Sequence, residues 1–296
     1  MATIGFIGLG NMGLPMAANL VKAGHHVTGF DVVPAANEAA KGHGIAVAPS
    51  AIDAVKGAET VITMLPNGRL VLELYNGGIL REAAPGTLFI DCSTIDVASA
   101  RQAHELAQAA GMASLDAPVS GGVGGAEAGT LTFMAGGADA AFARAEPILA
   151  LMGKKIVHCG AAGAGQAAKI CNNMILGISM IAVGEAFVLA EKLGLEAQKL
   201  YDVASTASGQ CWSLTTYCPV PGPVPTSPAN REYKPGFSAA LMLKDLLLSQ
   251  EAAAAAGAST ALGRHAANLY QDYVDAGGAG VDFSGIINAI REKPAF

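Results

Sequence analysis

The chain has 296 residues, 52% of them hydrophobic and 14% charged, with a formal net charge of −6. That length exceeds the usual single core and predicts two domains, and the acidic balance excludes nucleic acid as a main partner. Cys92, Cys159, Cys171, Cys211 and Cys218 form an odd set with no C-x-x-C pair, which predicts free thiols in a reducing, cytoplasmic setting. No stretch has the layout of a signal peptide. The apolar run after Gly165 is broken by Lys169, Asn172, Asn173 and Glu185, so no membrane span is expected.

In chain order, Thr3 to Ile7 reads as a buried parallel strand. Gly8-Leu9-Gly10-Asn11-Met12-Gly13 follows at once. A helix is expected from Leu14 to Ala23 with Gly24 as its cap, then a strand from His26 to Phe30 ending in Asp31. Strand, glycine loop, helix, strand and acidic residue together form the dinucleotide-binding fingerprint. The glycines permit a tight turn and let the backbone approach a pyrophosphate at a helix N-terminus. Asp31 is expected to accept hydrogen bonds from the adenosine ribose and to repel a 2′-phosphate, which favours NAD over NADP. Its bland alternative is a solvated strand end.

The α/β alternation continues with strands expected at Glu59 to Leu65, Thr87 to Asp91 and Met112 to Ala117, and a helix at about Asp96 to Ala110. Ligands of open α/β sheets sit beyond the carboxyl ends of strands, which places Leu65, Pro66, Ser93 and Thr94 along the cofactor cleft. Ordinary turn and capping chemistry explains the same residues equally well. In Asp116 to Ala126, the glycines around Ser120, Gly121 and Gly122 can aim N–H groups into one anion-sized concavity, with the Ser120 hydroxyl as a further donor. A substrate carboxylate is the natural guest, and a flexible hinge the alternative. Further strands are expected at Thr130 to Ala135 and Lys155 to Cys159, with a helix at about Asp139 to Met152 between them.

Beyond Gly165 no strand is expected. Gln166 to about Leu193 reads as one long helix, capped by Gly194. Lys169, Asn172, Asn173 and Leu176 share one face of it. A buried lysine is costly unless something polar meets it, so Lys169 is either a snorkelling lysine or a functional one. Shorter helices are expected at Ala197 to Ser208, Ser238 to Ala256, Thr260 to Ala276 and Phe283 to Ile290. A proline-rich irregular segment from Cys211 to Tyr233 carries Trp212 and Tyr217. Lys244 reads equally well as an exposed helical lysine paired with Asp245. No Asp, His or Cys cluster has metal-ligand spacing.

Four segments in this order resemble the β-hydroxyacid dehydrogenase family: Phe6 to Gly13, Asp91 to Thr94, Asp116 to Gly122, and Gly165 to Asn173. The resemblance covers essentially the whole chain. It implies an α/β Rossmann domain over residues 1–164 and an all-α domain over 165–296, with 165–193 as an interdomain helix. It also implies NAD-dependent oxidation of a small 3-hydroxy acid to a semialdehyde. 3-Hydroxyisobutyrate stands first among the substrates; 3-hydroxypropionate, L-serine and the tartronate and succinic semialdehydes are the alternatives. Lys169 takes the catalytic lysine position, and Ser120, Gly121, Gly122 and Asn173 the substrate-binding positions. Gly8, Leu9, Gly10, Asn11, Met12, Gly13, Asp31, Leu65, Pro66 and Thr94 take the cofactor positions. Lys244 corresponds to a lysine near the nicotinamide and substrate, and Trp212, Tyr217 and Phe237 to the region that shapes the pocket, Phe237 on the cofactor side. The intact lysine and Gly121-Gly122 pair weigh against a non-catalytic dinucleotide-binding scaffold. The apolar helical half points to a homodimer or homotetramer.

Overall fold

The computed structural model describes residues 1–292. The chain divides into two units, Met1–Lys169 and the residues from Ile170 onward. The division falls inside the long helix, five residues beyond the 164/165 boundary read from the sequence.

The first unit is built on one nine-stranded sheet. Its first half alternates strand and helix: β1 (Thr3–Ile7), α1 (Gly13–Lys22), β2 (His26–Phe30), α2 (Pro34–Lys41), β3 (Ala46–Val47), α3 (Ala51–Val55) and β4 (Thr60–Thr63). After α4 (Gly68–Leu74), a π turn over Tyr75–Ile79 and the short α5 (Leu80–Glu82) come β5 (Leu88–Asp91), α6 (Val97–Ala109) and β6 (Ala113–Asp116). The unit continues through β7 (Val119–Ser120), α7 (Gly122–Ala128), β8 (Leu131–Gly137), α8 (Asp139–Leu149) and β9 (Gly153–Gly160). The strand order is β3-β2-β1-β4-β5-β6-β8-β7, with β9 on β8. Strands β1 to β6 pair in parallel, whereas β8 runs antiparallel to β6 and β7. The order reverses between β1 and β4, which is where a doubly wound sheet opens its ligand crevice.

Alternation along the strands produces two cores. Ile4, Phe6, Ile62, Leu88 and Ile90 join one apolar cluster, while Ile7, Val61 and Phe89 join another. Successive side chains of a strand point to opposite faces, so these clusters lie on opposite faces of the sheet. Burial on both faces explains why β1 reads as an apolar run.

The helix α9 (Ala164–Lys192) carries the chain from the first unit into the second. By length and composition alone it is apolar enough to cross a membrane, but polar Gln166, Lys169 and Asn173 are themselves buried along it. The second unit continues with α10 (Ala197–Ala204), α11 (Trp212–Thr215), α12 (Ala239–Ala256), α13 (Ala261–Asp275) and α14 (Ile286–Glu292). Met180 and Ile181 of α9 pack with Met242, Leu246, Ala266, Tyr270 and Phe283 in its principal core. Ser238 caps α12 by accepting from Leu241 N, and Gly257 closes that helix in the left-handed conformation (φ 66°). The fold is thus an α/β Rossmann unit followed by an all-helical unit.

Several short elements of the first unit escaped the sequence reading. Helices α2, α3, α4 and α7 and strands β3 and β7 are each eight residues or fewer. Such segments carry too few periods to show a pattern. The largest correction concerns Gly122 to Gly125, read as a loop and found as the first turn of α7. Glycine disfavours helix, and tertiary contacts hold this one: Asn19 of α1 donates to the Ala126 carbonyl at 2.7 Å.

Candidate functional site

The glycine loop leaves β1 and enters α1 with no side chain capping the helix. Gly8 has φ 95°, and a side chain there would collide with the Met64 carbonyl. A side chain at Gly13 would collide with the Gly8 carbonyl, so the loop closes on itself at both ends. Gly10 is different: a Cβ there would meet nothing within 4 Å. The loop is therefore tight where it touches protein and open at its outer turn. That is the shape required for a pyrophosphate approaching helix N–H groups, and the residues fit a dinucleotide.

Asp31 does more than the sequence suggested. Its Oδ2 accepts from Leu9 N at 2.7 Å and its Oδ1 from Val33 N at 2.8 Å. Asn37 clamps the same turn, accepting from Asp31 N at 2.8 Å and donating to Asp31 O at 2.7 Å. The carboxylate shapes the loop from below. Each oxygen keeps a second lone pair for a ribose hydroxyl. Val32, Val33 and Pro34 supply no cation to offset a 2′-phosphate.

Beyond the ends of β4 and β5, Leu65 and Thr94 are half-buried and Pro66 is exposed. Ser93 does not line a cleft, and this corrects the sequence expectation. It is fully buried. Its hydroxyl donates to Asp91 Oδ1 at 2.6 Å and accepts from Leu65 N at 2.8 Å. Thr63 Oγ1 donates to the same Asp91 oxygen at 2.7 Å. Asp91 Oδ2 is buried and has no hydrogen-bond partner. Burial pushes the Asp91 carboxyl up to about 6, against the lowering effect of the Ser93 and Thr63 bonds.

Ser120 closes β7 opposite Thr132 of β8. Gly121 (φ 138°) and Gly122 (φ 64°) then turn the chain into α7, a conformation that disfavours any side chain.

The motif from Gly165 to Asn173 opens α9. A side chain at Gly165 would collide with the Met134 carbonyl, so glycine lets the helix start sit directly on β8. Asp116, at the end of β6, receives that start: its Oδ1 accepts from Gly163 N at 2.8 Å and its Oδ2 from Gln166 N at 2.9 Å. His104 lies 3.0 Å from Asp116 Oδ1 and 2.8 Å from Ser114 Oγ. This resembles a serine-histidine-aspartate relay, but the carboxylate is occupied by the helix start and the set is structural. Lys169 is only 6% exposed, one turn into the helix.

Asn173 stands one further turn along α9 and is 2% exposed. Its Nδ2 donates to Asp245 Oδ2 at 2.5 Å, and Lys244 Nζ lies 3.8 Å from Asp245 Oδ1. The Lys244–Asp245 pair is therefore present, with a buried carboxylate that also orients Asn173. In the same unit Tyr217 stacks on Trp212 (centroids 4.9 Å) and on Phe283 (5.3 Å). Phe237 meets Phe283 edge-on at 5.8 Å. Beneath them Asp282 is fully buried, and its Oδ2 accepts from Tyr217 OH, Gly236 N and Phe237 N. Burial and the neighbouring Asp282 charge raise the Tyr217 phenol well above its ordinary range.

Residues 3–160 match the family described as the NAD binding domain of 6-phosphogluconate dehydrogenase. Residues 163–290 match the one described as NAD-binding of NADP-dependent 3-hydroxyisobutyrate dehydrogenase. A Mycobacterium tuberculosis protein named probable 3-hydroxyisobutyrate dehydrogenase is 58% identical over 99% of both chains. The chain belongs to the β-hydroxyacid dehydrogenase family. Another relative, from Pseudomonas aeruginosa, is named NAD-dependent L-serine dehydrogenase and is 49% identical over 96% of each chain. Among solved structures, M. tuberculosis 3-hydroxyisobutyrate dehydrogenase with L-serine superposes at a TM-score of 0.95, with 59% identity over 98% of this chain and 99% of that one.

Sequence reading of this β-hydroxyacid dehydrogenase missed the groups that bond to the candidate residues and their segments: Asp91, Asp116, Gln166, Asp245 and Asp282. All five are buried polar groups. Asp245 had a signal in its adjacency to Lys244; Asp91, Asp116 and Gln166 lay inside the motif segments without a role, and Asp282 had none. The five cysteines are all unpaired.

Proposed function

We propose that Lys169 is the general base of the reaction and that Ser120, Gly121, Gly122 and Asn173 hold its substrate. The protein is an NAD-dependent oxidoreductase that converts 3-hydroxyisobutyrate to methylmalonate semialdehyde, a step of valine breakdown. Bound NAD supplies the hydride acceptor. As the hydride leaves the hydroxymethyl carbon, the Lys169 amine takes the proton of the alcohol oxygen, and in the reverse direction returns it. A lysine does this only when neutral. The observation that carries this reading is a lysine 6% exposed on an apolar helix, one turn before a buried asparagine.

Ser120 and the Gly121 and Gly122 backbone are assigned to the substrate carboxylate. Asn173, its amide held by Asp245, is assigned to the hydroxyl end, and Lys244 to the region between substrate and nicotinamide. Gly8 to Gly13, Asp31, Leu65, Pro66 and Thr94 are assigned to the dinucleotide, with Phe237 beside it. Trp212 and Tyr217 are assigned to the pocket wall. A homodimer or homotetramer is proposed from the apolar side chains exposed on the helical unit, Ile175, Leu189, Val203 and Leu262 among them. A cytoplasmic location is proposed from the unpaired cysteines.

The test is NADH formation with 3-hydroxyisobutyrate, 3-hydroxypropionate and L-serine, by wild type and Lys169→Ala. Preference for 3-hydroxyisobutyrate, with kcat of the variant lowered by at least about 100-fold, is expected. Preference for L-serine replaces the substrate, and near-normal turnover by Lys169→Ala refutes the role of the lysine.

A further inference from the structure

Gln166 is fully buried, yet it is the most densely bonded side chain of the opening turn of α9. Its Nε2 donates to the Ser93 carbonyl at 2.7 Å, and its Oε1 accepts from Ile95 N at 3.1 Å. The two bonds bracket Thr94 from either side. The same residue's backbone N–H is held by Asp116 Oδ2 at 2.9 Å. Ser93 in turn receives Leu65 N on its hydroxyl at 2.8 Å. The Gln166 side chain therefore ties the segment following β5 to the helix that carries Lys169 three residues later, and the Ser93 hydroxyl extends the tie to the segment following β4.

We propose that Gln166 is a positioning residue for the oxidation: its amide fixes the Thr94 segment relative to Lys169, so that the hydride acceptor and the proton acceptor stand in register. This rests on the assignment of Lys169 and Thr94 above. The chemistry demands an amide. The Ser93 carbonyl requires a donor and the Ile95 N–H an acceptor, and among side chains of this shape only glutamine, or a protonated glutamate, offers both. An ionised glutamate faces the Ser93 carbonyl with a second acceptor. Leaving buried backbone groups unmatched shifts the segment, and a displacement of about 1 Å far from the chemistry can cost about 100-fold in rate.

The experiment compares Gln166→Glu, Gln166→Met and Lys169→Ala with wild type. NAD affinity, kcat, KM and thermal midpoint are read for each, together with the kinetic isotope effect for substrate deuterated at the hydroxymethyl carbon. Folded Gln166→Met is expected to lose about 10- to 100-fold in kcat, with a larger isotope effect as the chemical step becomes limiting, and a KM changed far less. Gln166→Glu is expected to behave likewise at alkaline pH. Its kcat relative to wild type should recover as the pH falls, because the protonated acid restores both bonds. The groups bearing on that glutamate are Asp116 at its own backbone, His104 on Asp116, Asp91 through Ser93, and Lys169 one turn on. Gln166→Glu is isosteric and serves if Gln166→Met does not fold. A lowered thermal midpoint with wild-type kcat and isotope effect in the folded variants would overturn the proposal, since it leaves only packing. If Lys169→Ala keeps its turnover, the underlying assignment falls instead, and the two failures are read separately.

Discussion

Asp91→Asn should make the first unit more stable at alkaline pH and leave it little changed in acid. Asp91 is 3% exposed, with one oxygen bonded by Thr63 and Ser93 and the other without a partner. Its carboxyl is raised from 3.8 to about 6, chiefly by burial. The sign is opposite to that of a salt-bridged aspartate. Because the folded state holds the proton more tightly than the unfolded state, stability is greatest below the unfolded value and is lost as pH rises towards 6. The span from 3.8 to about 6 corresponds to about 3 kcal/mol, roughly half of it lost above about pH 5. Asparagine keeps an acceptor for Thr63 and Ser93 but never ionises. Denaturant unfolding of wild type and variant at about pH 5 and about pH 8, followed by hydrogen exchange in β4 and β5, measures the difference of differences. The variant is expected to gain on wild type by roughly 1 kcal/mol between those two conditions. An offset equal at both pH values, or one that moves the other way, would refute a raised Asp91.

Glycine substitutions separate fold from binding in the dinucleotide loop. Gly13→Ala drives a methyl into the Gly8 carbonyl and should lower the thermal midpoint and abolish NADH binding. Gly10→Ala meets no protein atom within 4 Å, so stability should change by no more than about 0.5 kcal/mol while NADH fluorescence shows weakened binding. Asp31→Asn loses the charge and keeps an acceptor oxygen for only one of Leu9 N and Val33 N, and the preference for NAD over NADP in kcat/KM should fall by about 10-fold. Asp245→Asn removes the anion shared by Asn173 and Lys244, and should raise KM for the hydroxy acid by about 10-fold with NAD affinity unchanged.

What was legible in the residues was whatever physics makes local. β1 matched its expected span because a strand buried on both faces is an apolar run ended by a glycine loop, and β2, only half-buried, because it lies between the Gly24 cap and Asp31. The long helix was visible because 29 residues carry many turns without a proline. Lys169 stood out because it is a single charge among apolar neighbours. Ser93 was misplaced for an equally physical reason: the carboxyl end of a strand indicates where a loop emerges, not which way each side chain of the loop turns. The buried Asp91 drew the hydroxyl inward. The Gly122–Ala128 helix was hidden because its composition opposes helix.

By itself the sequence determined the order of motifs, the dinucleotide loop, the Rossmann-then-helical plan and the identity of the buried lysine. These depend on neighbours a few residues apart, whose spacing is written along the chain. Only the tertiary structure decided which carboxylates meet the candidate residues and their segments. Asp116 meets Gln166 across 50 residues, Asn173 meets Asp245 across 72, and Tyr217 meets Asp282 across 65. A buried polar group finds its partner wherever the fold brings one, because leaving it unmatched costs more than any local preference supplies. Such pairings leave no periodicity to read.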